Sequence, residues 1–316
     1  MSLSDLPDLR ALQILVDSAR LGSFGAAARS HGLSQQAVSE RMRRLEGELG
    51  VTLFQRGPTG TRLTAAGEKV QATAQEILGA SAALGDALAL ERHPDAPKVS
   101  VYVSRTVSEY YLPRWFAALR RNHPRAQLEM VAVNSDQVAT AVAQGHTSLG
   151  FIESVNVPVP DSLGGHRVFS TSVICEDRLS LVVRPDHPWA TAVSVRRAEL
   201  TRTPLILREP GSGTREVLDL AVGVPWAPPV AEASSPMAEI NLALSTGAPA
   251  VVPAISVAEH CASGKLVEVD IADATLRRPI RALWRTGSRP RGAAALMLRA
   301  AREVSAQEAP PRIRRD

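Results

Sequence analysis

Within ten positions the chain places Ser34, Gln35, Gln36, Ser39, Arg41 and Arg43, followed a little further on by Arg56 and Arg62. Amide and guanidinium groups donate and accept in pairs, which suits them to base edges and phosphate oxygens in a nucleic-acid groove. A polar helix face is also what any solvated helix shows, so these residues alone leave both readings open. A second group lies further along: Ser104, Arg105 and Thr106, then Asn134 and Ser135, then Arg208 with Ser212, Gly213 and Thr214. Hydroxyls and free backbone N–H groups at helix starts form an anion site, and an arginine supplies the counter-charge for a carboxylate, sulfate or phosphate. The competing reading makes the serines and threonines ordinary helix caps and the arginines solvated.

Catalytic patterns are missing from the same inventory. The seven histidines, at 31, 93, 123, 146, 166, 187 and 260, form no HExxH pair, and there is no GxSxG elbow, phosphate-binding loop or GxGxxG. Glu153 and Glu209 could lie near a cleft, but surface or structural roles serve them equally well. Cys175 and Cys261 lack any CxxC spacing and read as inert thiols. The expectation is therefore no catalytic residue, no metal site and no cofactor. The first residues carry two acids and no apolar run, and no stretch is apolar enough to span a bilayer, so the chain is expected to stay in the cytoplasm, away from membranes.

The elements that must position these groups can be read from periodicity. Leu9, Leu12, Leu15, Val16 and Ala19 recur at helical spacing until Gly22; Ser23 caps a short helix from Phe24 to His31, which stops at Gly32. Ser34 then caps a third helix with the stripe Val38, Met42, Leu45 and Leu49, ended by Gly50. Helix, tight turn, helix is the helix-turn-helix arrangement. Val51 to Arg56, Gly57 to Gly60 and Thr61 to Thr64 read as strand, turn and strand, a wing with Arg56 and Arg62 beside its tip. Residues 1–92 hold ten basic and ten acidic side chains, so any DNA affinity must come from a local face, not from bulk charge.

From Thr64 to about Leu90 an alanine-rich helix carries Val70, Ile77 and Leu84 at seven-residue intervals, suited either to pairing with a second copy or to lying on its own domain. Two prolines within 93–97 end it. Beyond lie two α/β sets. The first has strands at Lys98–Val103, Leu128–Val133 and Leu149–Ile152, with helices at Tyr110–Arg121 and Asp136–Gln144. The second has strands at Leu179–Val183, Leu205–Leu207 and Ala250–Val252, with helices from Thr214 and from Ala238 to Leu244. Two such lobes enclose a cleft at strand C-termini and helix N-termini.

The first 67 residues resemble the LysR-type transcriptional regulators. The likeness rests on Gly22-Ser23-Phe24, Ala27-Ala28, Leu33-Ser34-Gln35-Gln36-Ala37-Val38-Ser39, Leu45-Glu46, Leu49-Gly50, Leu53-Phe54, Arg56, Leu63-Thr64 and Gly67. The C-terminal part is similar to the effector domain of the same family, itself similar to type 2 periplasmic binding proteins. There the matching stretches are Tyr111-Leu112-Pro113-Arg114-Trp115 with His123-Pro124, Gln144-Gly145, Leu149-Gly150-Phe151, Arg184 to Pro188 and Leu207 to Arg215. Two departures stand out: Gln36 where the family most often has proline, and Pro249 where it often has glycine.

The resemblance implies an N-terminal winged helix-turn-helix with a long linker helix and a C-terminal two-lobed α/β effector domain. It implies double-stranded DNA as partner, with Gln35, Gln36, Ser39 and Arg41 at the major groove and Arg56 on the wing. It also implies a small-molecule effector, which the turns and arginines above make anionic, and a homodimer or homotetramer. The expected division is DNA-binding 1–63, linker 64–92, hinge 93–97, effector domain 98–308 and flexible tail 309–316. Lobe I would take 98–170 and 273–308, and lobe II 171–272. Two other classes stay open: a C-terminal domain that only oligomerises, and an enzyme fused to a helix-turn-helix.

Overall fold

The computed structural model describes residues 7–57, 60–92, 96–158, 168–223, 225–272 and 274–308. Pro58 and Thr59 of the expected wing turn, residues 93–95 of the expected hinge, the tail 309–316 and the side chain of Arg56 lie outside the described residues. The chain divides into two compact units, residues 1–85 with 144–146 and residues 86–143 with 147–316.

In the first unit, α1 (Leu9–Leu21), α2 (Phe24–Ser30) and α3 (Gln35–Leu49) precede the antiparallel strands β1 (Phe54–Gly57) and β2 (Gly60–Leu63) and the long α4 (Ala65–Arg92). Each helix starts where a short polar side chain accepts an orphan N–H: Asp8 from Ala11 at 2.7 Å, Ser23 from Ala26 at 3.3 Å, Ser34 from Ala37 at 3.1 Å and Thr64 from Gly67 at 2.9 Å. Such a cap contributes about 1 kcal/mol. The turn between α2 and α3 passes through Gly32 at φ +63°, a left-handed conformation that favours glycine. Leu12, Leu15, Phe24, Val38, Met42, Leu45 and Leu53 form the core, with the Phe24 and Phe54 rings edge to face at 5.0 Å. The first wing strand starts at Phe54 rather than Val51. The reason is local: Glu46 of α3 takes the N–H groups of Leu53 at 2.7 Å and Phe54 at 3.1 Å.

The second unit is one sheet in the order β4-β3-β5-β11-β6-β9-β7-β8, with β10 also paired to β6. At one end β4 (Gln127–Val133), β3 (Lys98–Ser104) and β5 (Gly150–Glu153) run parallel, with α5 (Leu112–Asn122), α6 (Ser135–Ala143) and α11 (Gly292–Glu308). At the other, β7 (Ile206–Arg208) runs parallel to β8 (Ala231–Ala233) and β9 (Ala250–Pro253). Around these lie β10 (Val267–Val269), α7 (Arg197–Arg202), α8 (Gly213–Val222), α9 (Pro236–Thr246) and α10 (Ala254–Ala262). The first lobe packs Val101, Trp115, Phe151 and Met297; the second packs Leu181, Leu200, Leu207 and Val251.

Two antiparallel strands cross from lobe to lobe, β6 (Phe169–Val183) and β11 (Arg277–Arg285). β6 pairs with β11 from Phe169 to Arg178, then with β9 from Leu179. The lobe boundary expected at 170/171 thus falls inside a single strand, because residues 171–178 belong to the ladder on the lobe I side.

Candidate functional site

Two regions gather the residues singled out in the sequence. In the first unit, α3 buries Val38, Met42 and Leu45 and leaves Gln35, Gln36, Glu40, Arg43 and Arg44 exposed. At about 100° per residue, Gln36, Glu40 and Arg43 fall within about 60° of one another, whereas Arg41 points about 160° away from Arg43. Two of the expected residues are less exposed than the rest. Arg41 is half-buried on the flank and reaches Asp8 Oδ2 at 3.4 Å. Ser39 is only 8% exposed, at the edge of the apolar stripe, and its Oγ accepts from Arg43 Nη2 at 3.4 Å. Arg62 is exposed on β2, and Arg56 stands opposite Thr61 in the ladder.

What holds this face in place was not among the singled-out residues. Asp17 of α1 accepts from Arg20 at 2.9 Å and from Gln13 at 3.1 Å, and lies 2.9 Å from His31 Nε2 at the end of α2. Burial works to raise the Asp17 pKa, but the hydrogen bonds from Arg20, Gln13 and His31 outweigh it and hold the carboxyl below its usual value. Glu46, inside the Leu45-Glu46 pair, ties α3 to the wing as described above.

In the second unit the turns after β3, β4, β5 and β7 meet where β6 and β11 cross. Arg278 of β11 is 1% exposed, and each of its guanidinium nitrogens has a partner. Nε donates to Asp177 Oδ2 at 2.8 Å, Nη1 to Thr214 Oγ1 at 2.9 Å and Nη2 to Thr106 Oγ1 at 3.3 Å. Tyr111 Oη donates to the other Asp177 oxygen at 2.9 Å, and Glu153 Oε1 lies 3.8 Å from Arg278 Nη1. The tyrosine hydroxyl is pushed far above its ordinary value, first by burial and then by the Asp177 charge. The two threonines expected to meet an anion are thus engaged by an internal cation, one from each lobe.

Several other residues expected at the site make caps and pairs within the chain. Arg208 is 1% exposed and forked onto its neighbour Glu209 at 2.8 and 3.1 Å, with further bonds to the Ala233 and Ser234 carbonyls. Only Nη1 is without a partner. Ser212 caps α8, accepting from Thr214 N at 3.3 Å, and Ser135 donates to the Glu153 carbonyl at 3.3 Å. Asn134 caps its own turn through Gln137 N at 2.9 Å and bridges to the Pro210 carbonyl at 3.3 Å. Gly213 is glycine because α8 starts directly on β5: a β-carbon there would overlap the Glu153 carbonyl. Beside this contact lies a cavity of about 410 Å³ lined by Asp136, Ser154, Asn156, Gly211, Ser212 and Glu216.

Around the Arg278 crossing, buried polar atoms are left unpartnered: Ser104 Oγ, Arg105 Nε, Glu153 Oε2, Arg208 Nη1 and both carboxyl oxygens of Glu239. Buried polar groups in folded proteins are nearly always paired, so such a concentration among the described residues is unusual. Glu239, on the first turn of α9, is 1% exposed. Burial drives its carboxyl well above the ordinary value, with Arg208 and Arg278 opposing and Glu209 and Glu109 adding to the shift. Glu153 is raised for the same leading reason. No sequence signal pointed to Glu239 or Arg278; Glu153 stood out only by following a strand.

Residues 9–68 match the model of the bacterial regulatory helix-turn-helix protein, lysR family, and residues 92–306 match that of the LysR substrate binding domain. An uncharacterized HTH-type transcriptional regulator of Mycobacterium tuberculosis is 36% identical over 299 residues, covering 91% of this chain and 93% of its own. Among solved structures, full-length OxyR of Pseudomonas aeruginosa superposes with a TM-score of 0.68 at 23% identity, over 94% of this chain and 95% of its own. Full-length CbnR, complexed with its target DNA, does so with a TM-score of 0.51 at 25% identity, over 95% and 100%.

Proposed function

The chain belongs to the LysR family of bacterial transcriptional regulators, and from that premise we propose that it reads double-stranded DNA through α3 and senses a small molecule in the cleft between the lobes of its second unit. Gln35, Gln36 and Arg43, on the exposed face, meet base edges and phosphates; Arg62 and Arg56 reach the backbone or minor groove from the wing. The exposed Ile77, Leu84 and Leu88 of α4 suit a second copy of the chain, giving a homodimer or a dimer of dimers. An anionic group on the effector finds Ser104 Oγ, Arg105 Nε and Arg208 Nη1. The observation that carries the sensing role is the cluster of buried, unpartnered polar atoms around Arg278. Closure on a ligand changes the geometry of the oligomer and so the spacing of the DNA-reading helices.

Selection of bound fragments from a random DNA library, followed by footprinting, tests the DNA half. Gln36→Ala should change the selected bases, whereas Arg62→Ala should weaken every site alike and lower the salt dependence. Equal affinity of both variants for all sequences would remove α3 as the reading helix.

A further inference from the structure

Resting on that cleft reading, we propose that the effector is amphoteric, presenting a cationic amino or amidine-type group to Glu239 and an anionic acceptor to Arg208 and Arg105. The anionic end follows from the free donors. Arg208 Nη1 and Arg105 Nε are buried N–H donors with no acceptor among the described residues, and Ser104 Oγ is on the residue before Arg105. The cationic end follows from the free acceptors. Glu239 keeps both oxygens unpartnered at 1% exposure, and Glu153 adds a third such oxygen at 1% exposure.

These donors and acceptors are close enough to interact electrostatically, directly or through Glu109, but do not satisfy one another. Arg208 is coupled electrostatically to Glu239 and Glu153, yet its ion pair is made with Glu209. A purely anionic ligand would quench the donors but leave the buried oxygens of Glu239 and Glu153 without a partner. A purely cationic ligand would leave the guanidinium N–H groups stranded. An unmatched buried charge or polar group costs more than its pair contributes, so the ligand that completes both sets is the one with both kinds of group.

A consequence is proton release. The charged groups that bear on Glu239 are Arg208 and Glu209 of β7 and the turn after it, Arg278 of β11 and Glu109 after β3, and burial dominates them all. The unliganded carboxyl therefore holds its proton above the ordinary carboxylate range, and a cation placed beside it draws that proton off. Binding then strengthens as pH rises between the two values.

The test uses the full-length protein and matched probes: L-amino acids, the 2-oxo acids of the same skeletons and the corresponding primary amines. Thermal shift ranks them, and calorimetry in two buffers of different ionisation enthalpy counts protons. The expected result is a stabilising amino acid whose 2-oxo acid and amine bind at least tenfold more weakly, with proton release that Glu239→Gln abolishes along with at least tenfold of affinity. Glu239→Asp, keeping the charge at shorter reach, should retain part of both, which separates loss of the charge from loss of the fold.

A 2-oxo acid that binds wild type and Glu239→Gln equally but is lost in Arg105→Glu would overturn the amphoteric class and leave the cleft standing. A probe indifferent to both Glu239→Gln and Arg105→Glu binds elsewhere and overturns both readings. Absence of binding by every amino acid overturns the class.

Discussion

Replacing Arg278 with methionine keeps most of the buried aliphatic volume and removes the charge at the lobe crossing. The structure sets what is lost: the bonds to Asp177 at 2.8 Å, Thr214 at 2.9 Å and Thr106 at 3.3 Å. Asp177 and Glu153, 4% and 1% exposed, would then share the site with no positive group between them. Removing one partner of a buried ion pair costs about 3–5 kcal/mol, mostly as the penalty on the charge left behind. For a unit of roughly 200 residues each kcal/mol moves Tm by about 2–4 °C, so the second unit should melt about 6–20 °C lower. Differential scanning calorimetry of the full-length protein resolves this transition, and urea unfolding gives the free energy directly. The companion Arg278→Met/Asp177→Asn double variant should recover a large part of the loss, since it removes the stranded charge as well. A drop of less than about 2 °C, or a double variant as unstable as the sum of the two single ones, would refute the uncompensated-charge argument.

Other expectations follow from the same geometry. Because the Glu239 carboxyl is raised in the folded protein, the native state keeps a proton that the unfolded chain loses, and stability falls as pH rises from the ordinary carboxylate range toward the raised value. Glu239→Gln should flatten that part of the urea-midpoint profile against pH, and parallel profiles for the two proteins would contradict the assignment. Asp17 has the opposite sign: its lowered value contributes stability above the unfolded carboxylate pKa that is lost as pH falls through the folded one, and Asp17→Asn should erase this acid limb in the first unit's melting. Gly213→Ala, whose added methyl would overlap the Glu153 carbonyl, should force α8 away from β5, lowering the second unit's Tm and raising amide exchange at both elements. Leu84→Glu, at a side chain 61% exposed on α4, should lower the mass seen by light scattering without changing helix content.

The first unit was largely legible because its signals are local. Ser23, Ser34 and Thr64 cap the helices whose starts they suggested, and the stripe from Val38 to Leu45 is buried as its spacing required. Arg41 lies about 160° round the helix from Arg43, which spacing along the sequence hides, whereas Ser39 lies about 40° from Arg43 and is distinguished only by its burial. In the second unit the parallel strands other than the short β8 were readable from their β-rich runs, but most of β6 was not. Thr171 to Arg178 mixes hydroxyl, charged and apolar side chains because one edge of that ladder is wet, so it reads as loop. β11 was missed for a related reason: Arg277 and Arg278 look solvated in sequence, and Arg278 is buried only by a strand 101 residues earlier. Arg208 was read as a counter-charge for an anion or as a solvated arginine, and its pairing with the adjacent Glu209 was not read.

The pairing of β6 with β11 also governs what kind of motion can leave the cleft. The lobes are linked not by a slack joint but by a ribbon of two hydrogen-bonded strands, interrupted by a single irregularity between Ile280 and Arg281. Paired hydrogen bonds along the ribbon must be kept or broken together, so a change in the angle between the lobes has to be taken up by twist along both strands at once, with Arg278 on one of them.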